Sequence, residues 1–267
     1  MTAPTSNPVH SLAAEEVWAG YAQTDAVRGV TLHARSGTIT AIIGANGAGK
    51  TTLLRVMLGT LPPRRGRALL HGQDVSRVPV AERARTMAYI SQKPGVAFAF
   101  TASEVVELGC PWLGGGRARA AALEALSRVN LADRADEPLG VLSVGQQQRV
   151  SAARAIAQLR TGSTATAHAV LLADEPVASM DPAHAIQTMD LLRTLAREGV
   201  CVVVVLHDLA LASCYADAVL LMNSEGTSAA LGPTAEVLTP PLLERVYGAA
   251  FREVAAGIVV PARLAVR

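Results

Sequence analysis

Residues 44–52 read GANGAGKTT, a full match to the pattern G-x-x-x-x-G-K-[ST]. Such a match can arise by chance, so its flanks decide its meaning. Thr38–Ile43 before it is a short apolar run of strand character, and Thr52–Leu58 after it has amphipathic helical spacing. In a strand–loop–helix unit the glycines let the backbone bend, so that Gly44, Ala45, Asn46, Gly47, Ala48, Gly49, Lys50, Thr51 and Thr52 can turn toward a phosphate chain. The N-terminus of the following helix adds its positive dipole end. Lys50 is placed to reach the β- and γ-phosphates of ATP, and Thr51 to ligate Mg²⁺.

Two further stretches supply the rest of such a site. Val170–Pro176 reads VLLADEP, an apolar run ending in two carboxylates. Ligands of open α/β sheets bind at the carboxyl ends of the strands. That makes Asp174 a candidate for holding Mg²⁺ through water, and Glu175 a candidate for polarising the attacking water. His207 follows a second apolar run, Val200–Leu206, and so falls on the same edge, where it could contact the γ-phosphate. The remaining histidines, at 10, 33, 71, 168 and 184, show no metal-ligand spacing.

Short runs rich in Val, Ile and Leu recur at Thr38–Ile43, Met87–Ile90, Val170–Ala173, Val200–Leu206 and Ala218–Met222, as strands buried on both faces do. Helical spacing such as that of Ala183–Arg197 lies between several of them, which predicts an α/β fold with a mainly parallel sheet. From about Thr101 to Leu159 the pattern is almost wholly helical, interrupted at Gly114–Gly116. It reads as a helical subdomain inserted between strands. Residues 161–168, TGSTATAH, read as a polar surface loop.

Composition excludes several function classes. The chain carries 24 basic and 22 acidic residues spread along its length, not the clustered basic face of a nucleic-acid binder. Aromatics make up 3% of the 267 residues, too few for base-stacking platforms. Cys110, Cys201 and Cys214 form no CxxC pair and read as reduced thiols. The start, MTAPTSNPVHS, does not resemble a secretory signal, and no apolar run approaches the roughly 20 residues needed to span a bilayer. If the chain serves a membrane, the expectation is that it docks on a partner that sits there instead of entering the bilayer.

Leu142–Arg149, LSVGQQQR, falls about thirty residues before the acidic pair and resembles the signature of the ATP-binding-cassette (ABC) family, usually LSGGQ. The other landmarks follow in order. Tyr21 looks like the aromatic that stacks on adenine, and Gln92 in YISQ like the glutamine that senses Mg²⁺ and the γ-phosphate. Asp181 in SMD (179–181) looks like the residue that crosses a dimer interface, and His207 like the switch histidine. The resemblance spans roughly residues 12–250. It implies a phosphate-loop NTPase (RecA-like) core over about 12–96 and 160–250, with an N-terminal antiparallel β subdomain. The helical subdomain would cover about 97–159, and 251–267 would be a C-terminal tail.

The family's mechanism implies a homodimer of cassettes, each ATP lying between one phosphate loop and Ser143, Val144, Gly145 and Gln146 of the other subunit. Glu175, His207, Gln92 and Lys50 would be catalytic, with Thr51, Gln92 and Asp174 around Mg²⁺. AFAFTASEVVELGCPWLG (97–114) and VYGAAFRE (246–253) resemble the ATPases of iron-siderophore, haem and cobalamin uptake. The 161–168 insertion is most like the haem branch. This implies permease subunits docking near Gln92–Gly114, a substrate-binding protein reached indirectly, no nucleic acid, and a peripheral place on the cytoplasmic face of the cell membrane. Non-transport cassettes, a cassette that holds ATP without turning it over, and export are the alternatives. Val144, Val177 and Met180 depart from the usual Gly, Thr and Ala, and Cys110 replaces a frequent Arg. If the signature needs a positive φ at its third position, Val144 is strained there.

Overall fold

The computed structural model describes residues 10–92, 100–162, 168–178, 180–255 and 258–262. The apolar runs read from the sequence all fall in one sheet. Two long antiparallel strands come first, β1 (Leu12–Tyr21) and β2 (Thr24–Ala34), followed by β3 (Ile39–Gly44), α1 (Lys50–Met57), β4 (Arg65–Leu70) and β5 (Gln73–Asp74). Then come α2 (Val80–Thr86) and β6 (Met87–Ile90), and the helices α3 (Ala102–Glu107), α4 (Gly115–Arg128) and α5 (Val144–Gly162). The chain returns to alternation with β7 (Val170–Asp174), α6 (Pro182–Arg197), β8 (Cys201–Val205), α7 (Leu209–Tyr215) and β9 (Ala218–Met222). It ends with β10 (Ser228–Pro233), α8 (Thr234–Val237), α9 (Pro240–Tyr247), β11 (Phe251–Ala255) and β12 (Ile258–Pro261).

The central sheet has the order β10-β9-β3-β8-β7-β6, parallel except for β10 at one edge. A second, antiparallel sheet has the order β2-β1-β4-β5. The central strands are buried on both faces, and their alternate residues feed two cores. Ile39, Ala41 and Ile43 join Leu171, Ala173, Val202 and Val204 beneath the helices. Ile42, Leu172, Val203 and Val205 face the other way, onto Leu53 and Leu54 of α1 and onto Val17 and Leu32 of the antiparallel sheet. This period-two division lets one sheet support two layers at once.

The inserted helices form where local signals place them. Thr101 and Glu104 close a capping box at the start of α3, each side chain meeting the other residue's backbone N–H. α5 packs on α3 and α4 and then continues onto β6 and α2, so the longest helix ties the insertion to the sheet. Gln158 fixes that junction by donating to Ala84 O (2.7 Å) and Met87 O (2.9 Å). At the helix end a Cβ on Gly162 would lie 2.5 Å from Arg85 O, so only glycine permits this approach.

Three expectations change. The interruption of the helical pattern runs from Leu108 to Gly114, the N-cap of α4, so that Gly115 and Gly116 are already that helix's first residues. Thr161 and Gly162 belong to α5 and not to a loop, while 163–167 lie outside the described residues. The stretch after 250 contains the antiparallel pair β11–β12, and its Phe251 and Val259 are buried in the core beneath the helices. The sequence cue was weak because each strand contributes only one such anchor. Truncating Phe251 to Ala removes an aromatic side chain from that core, where its ring lies 5.8 Å from that of Tyr247. Thermal and urea unfolding should show a loss of about 2–4 kcal/mol.

Candidate functional site

β3 is buried along its whole length and ends at Gly44; α1 begins six residues later at Lys50. Between them the chain makes a tight loop, with Ala48 N–H donating to Ala45 O at 3.2 Å. Gly49 is the N-cap of α1 at φ 86°, and a Cβ there would lie 2.1 Å from Ala26 O. No other residue fits. A cleft of ≈ 210 Å³ opens over the loop, lined by Ala26, Asn46–Thr52 and Glu175. Lys50 is buried beneath it, its ammonium donating to Gly44 O (2.7 Å) and Ala45 O (2.9 Å). Burial lowers its pKa, opposed by the charges of Glu175 and Asp174.

The acids sit where β7 ends. Asp174 is 2% exposed; the Tyr89 hydroxyl donates to its Oδ2 at 3.3 Å, and its Oδ1 is buried with no hydrogen-bond partner. Burial raises the Asp174 carboxyl above its ordinary range, while hydrogen bonds from Thr51 and Tyr89 pull it back. The same burial pushes the Tyr89 phenol up to about 12.

Glu175 adopts φ 48°, a conformation a side chain rarely takes, and its N–H donates to Val205 O at 3.2 Å. Its carboxylate is gripped from both sides. Gln92 Nε2 donates to Oε2 at 2.6 Å, and His207 Nε2 lies 2.5 Å from Oε1. Backbone strain of this kind persists where the surroundings over-determine it, as at reactive sites.

The structure thus gathers Lys50, Thr51, Gln92, Asp174, Glu175 and His207 at one sheet edge. Of the 142–149 segment, no residue lines the phosphate-loop cleft. Ser143 precedes α5 and Gln146 lies in its first turn. Gln146 N–H donates to Ser143 Oγ (3.3 Å) and Ser143 N–H to Gln146 Oε1 (2.8 Å), a reciprocal cap. Val144 and Gly145 open the helix with no positive φ, so the strain expected at Val144 does not arise. Val144 is 55% exposed, its side chain held out from the helix start. Asp181 is the N-cap of α6, accepting from His184 N–H at 3.0 Å. Ser179 lies outside the described residues.

Tyr21 is exposed at the end of β1, its hydroxyl accepting from Arg55 Nη1 at 2.7 Å. Sequence reading did not single out Arg55, Tyr89 or Gln148. Gln148 is buried in α5 and donates to Gln92 O at 3.4 Å, joining the two motifs. A further cavity of ≈ 380 Å³ is lined by Phe100, Glu104, Leu108, Cys110, Pro111 and Leu113. Residues 93–99 lie outside the described residues.

A phosphate loop between β3 and α1, with an acid pair beside it on the sheet's carboxyl edge, defines a phosphate-loop ATPase. Comparison with known proteins places the chain more narrowly, for a model of the ABC transporter family matches residues 27–178. The chain belongs to that family.

Among curated relatives, the hemin import ATP-binding protein HmuV of Streptomyces coelicolor is 42% identical over 223 residues, covering 82% of this chain and 76% of that protein. HmuV of Roseobacter denitrificans is 40% identical over 242 residues, covering 91% and 92%. Among solved structures, the dimeric cassette MJ0796 in a post-hydrolysis state with ADP and Pi has a TM-score of 0.73 and 26% identity, over 83% of this chain and 98% of that one. A chain from an inward-facing ABC transporter described as metal-chelate type shares the fold, with a TM-score of 0.77 at 23% identity over 95% and 98%.

Gly49→Ala places a methyl group against the Ala26 carbonyl at a positive φ. Binding of a fluorescent ATP analogue should weaken by more than about tenfold, the effect of a strain of ~2 kcal/mol. A melting curve should show the variant still folded.

Proposed function

We propose that this chain is the ATP-hydrolysing subunit of an importer that takes up a metal chelate, haem in the first instance, through a separate membrane permease. The observation that carries the reading is the acid pair Asp174–Glu175 beside the phosphate loop, with Glu175 gripped by Gln92 and His207, in a chain about 40% identical to hemin import ATPases over most of its length.

The residues fit a divalent cation. Thr51 hydrogen-bonds the Asp174 carboxylate, whose Oδ1 is buried without a partner, and such an orphan oxygen calls for a cation or a donor. Asp174 and Thr51 would hold Mg²⁺, with Gln92 completing the set, and the ion would supply charge neutralisation for the phosphate chain. Lys50 and the loop N–H groups bind the phosphate chain, and Tyr21 offers its exposed ring to the adenine. Glu175 orients the attacking water as general base, and His207 holds Glu175 and the γ-phosphate side in register.

The phosphate cleft lacks any donor from the 142–149 segment of its own chain. The reading that follows is a head-to-tail homodimer. Ser143, Val144, Gly145 and Gln146 of one copy close the site of the other, and Asp181 lies at the contact. Fixed dipoles from two loops then surround the phosphoryl group in transfer. The cavity between Phe100 and Leu113 receives a segment of the permease, and the two cassettes sit on the cytoplasmic face of the membrane. A substrate-binding protein would deliver cargo to the far side of the permease.

Glu175→Gln keeps the hydrogen bond to Gln92 within reach while removing the base. ATP binding should persist, and phosphate release should fall at least about a hundredfold. Uptake of labelled haem in cells carrying this variant as the sole copy should stop. Unchanged haem uptake alongside lost ATP hydrolysis would remove haem as the cargo; unchanged hydrolysis would remove Glu175 from its role.

A further inference from the structure

We propose that Tyr89 is a positioning residue for the cation-binding carboxylate: from β6 its hydroxyl holds Oδ2 of Asp174 and leaves Oδ1 without a protein partner beside the phosphate loop. The inference rests on the reading of Asp174 as a Mg²⁺ ligand and deepens it.

The geometry comes from strand register. β6 pairs in parallel with β7, with Tyr89 opposite Leu172 and Ile90 opposite Ala173, so the Tyr89 side chain can reach forward to the residue that ends β7. Its ring is packed against the core on the α1 side of the sheet, which fixes where the hydroxyl goes. The phenol offers one O–H, and that O–H points at Oδ2 over 3.3 Å. At this length the bond is longer than the ordinary O–H···O range, so its work is to aim the carboxylate more than to add strength. The other oxygen has no protein partner, which is the state of a ligand atom held ready.

A consequence is that one short strand controls both acids. Tyr89, inside β6, reaches Asp174, and Gln92, two residues past its end, reaches Glu175 at 2.6 Å. A shift of the strand end would therefore move the cation ligand and the base together. Arg55 stands near the same phenol and carboxylate, and its charge favours the ionised form of both.

The test is Tyr89→Phe in the full-length chain, which keeps the ring and removes only the hydroxyl. Binding of a fluorescent ATP analogue is titrated with Mg²⁺ and repeated in chelator without it, with Asp174→Asn run in parallel and melting curves for all three proteins. Tyr89→Phe should raise the Mg²⁺ concentration for half-maximal effect about three- to tenfold, within the range of one hydrogen bond. Its metal-free binding and its melting temperature should match the parent. A Mg²⁺ titration that superimposes on the parent, while Asp174→Asn is shifted, overturns the role of Tyr89 and leaves Asp174 as the ligand. A parent-like titration for Asp174→Asn overturns both. Metal-free binding that falls in step with the Mg²⁺-dependent binding overturns the positioning role, because it marks a loss of local structure.

Discussion

The central strands β3, β7 and β8 are buried on both faces, and that constraint governs where anything chemical can stand. A charged side chain within such a strand would lose its water on either side with no partner in reach, a cost of several kcal/mol. Charge is admitted only where each strand stops. β3 stops at the phosphate loop, β7 at Asp174 and Glu175, and β8 just short of His207. Parallel pairing brings these ends level with one another, so groups distant in sequence become neighbours. The site is in this sense a by-product of the core, assembled by the same packing that stabilises the sheet.

Within that edge the structure commits its strain to one residue. Glu175 takes a left-handed backbone conformation, and Gln92 and His207 hold its two oxygens. Those contacts come from two neighbouring strands, so the acid is fixed by the sheet and not by its own loop. Gln92 is also held from behind by Gln148 of the signature helix. A rotation of the helical layer would reach Glu175 through that pair of glutamines. Movement of one packed layer against another is a recognised form of two-state change.

The parallel strands could be read from sequence because burial on both faces leaves an unbroken apolar run. β1 and β2 were expected only through the family resemblance and not from their pattern, since register shifts between Ala14 and Val17 and between Val17 and Ala19 scramble the alternation that marks a half-buried strand. The acids and His207 were visible as polar residues ending apolar runs, and Lys50 as part of the glycine-rich 44–52 motif. Tyr89 was not, because an aromatic inside a strand reads as core until the neighbouring strand's register is known. Val144 carried an expectation of strain that the structure removes: the position is an ordinary first-turn helix residue capped by Ser143 and Gln146. Its departure from glycine therefore changes the exposed surface at the helix start, not the backbone. The β11–β12 pair was illegible for a different reason, as two short strands anchored by Phe251 and Val259 leave little periodicity to detect.

The fold leaves a donor-lined cleft open on the phosphate loop and holds the capped start of α5 out from the surface. The account stands on their meeting between two copies. The direct measurement mixes two separately inactive proteins, Lys50→Ala and Ser143→Arg, and assays ATP hydrolysis of the mixture in the assembled transporter. A site built across the interface predicts recovered activity, because each mixed dimer has one site with both an intact phosphate loop and an intact signature. A mixture as inactive as its components would contradict it.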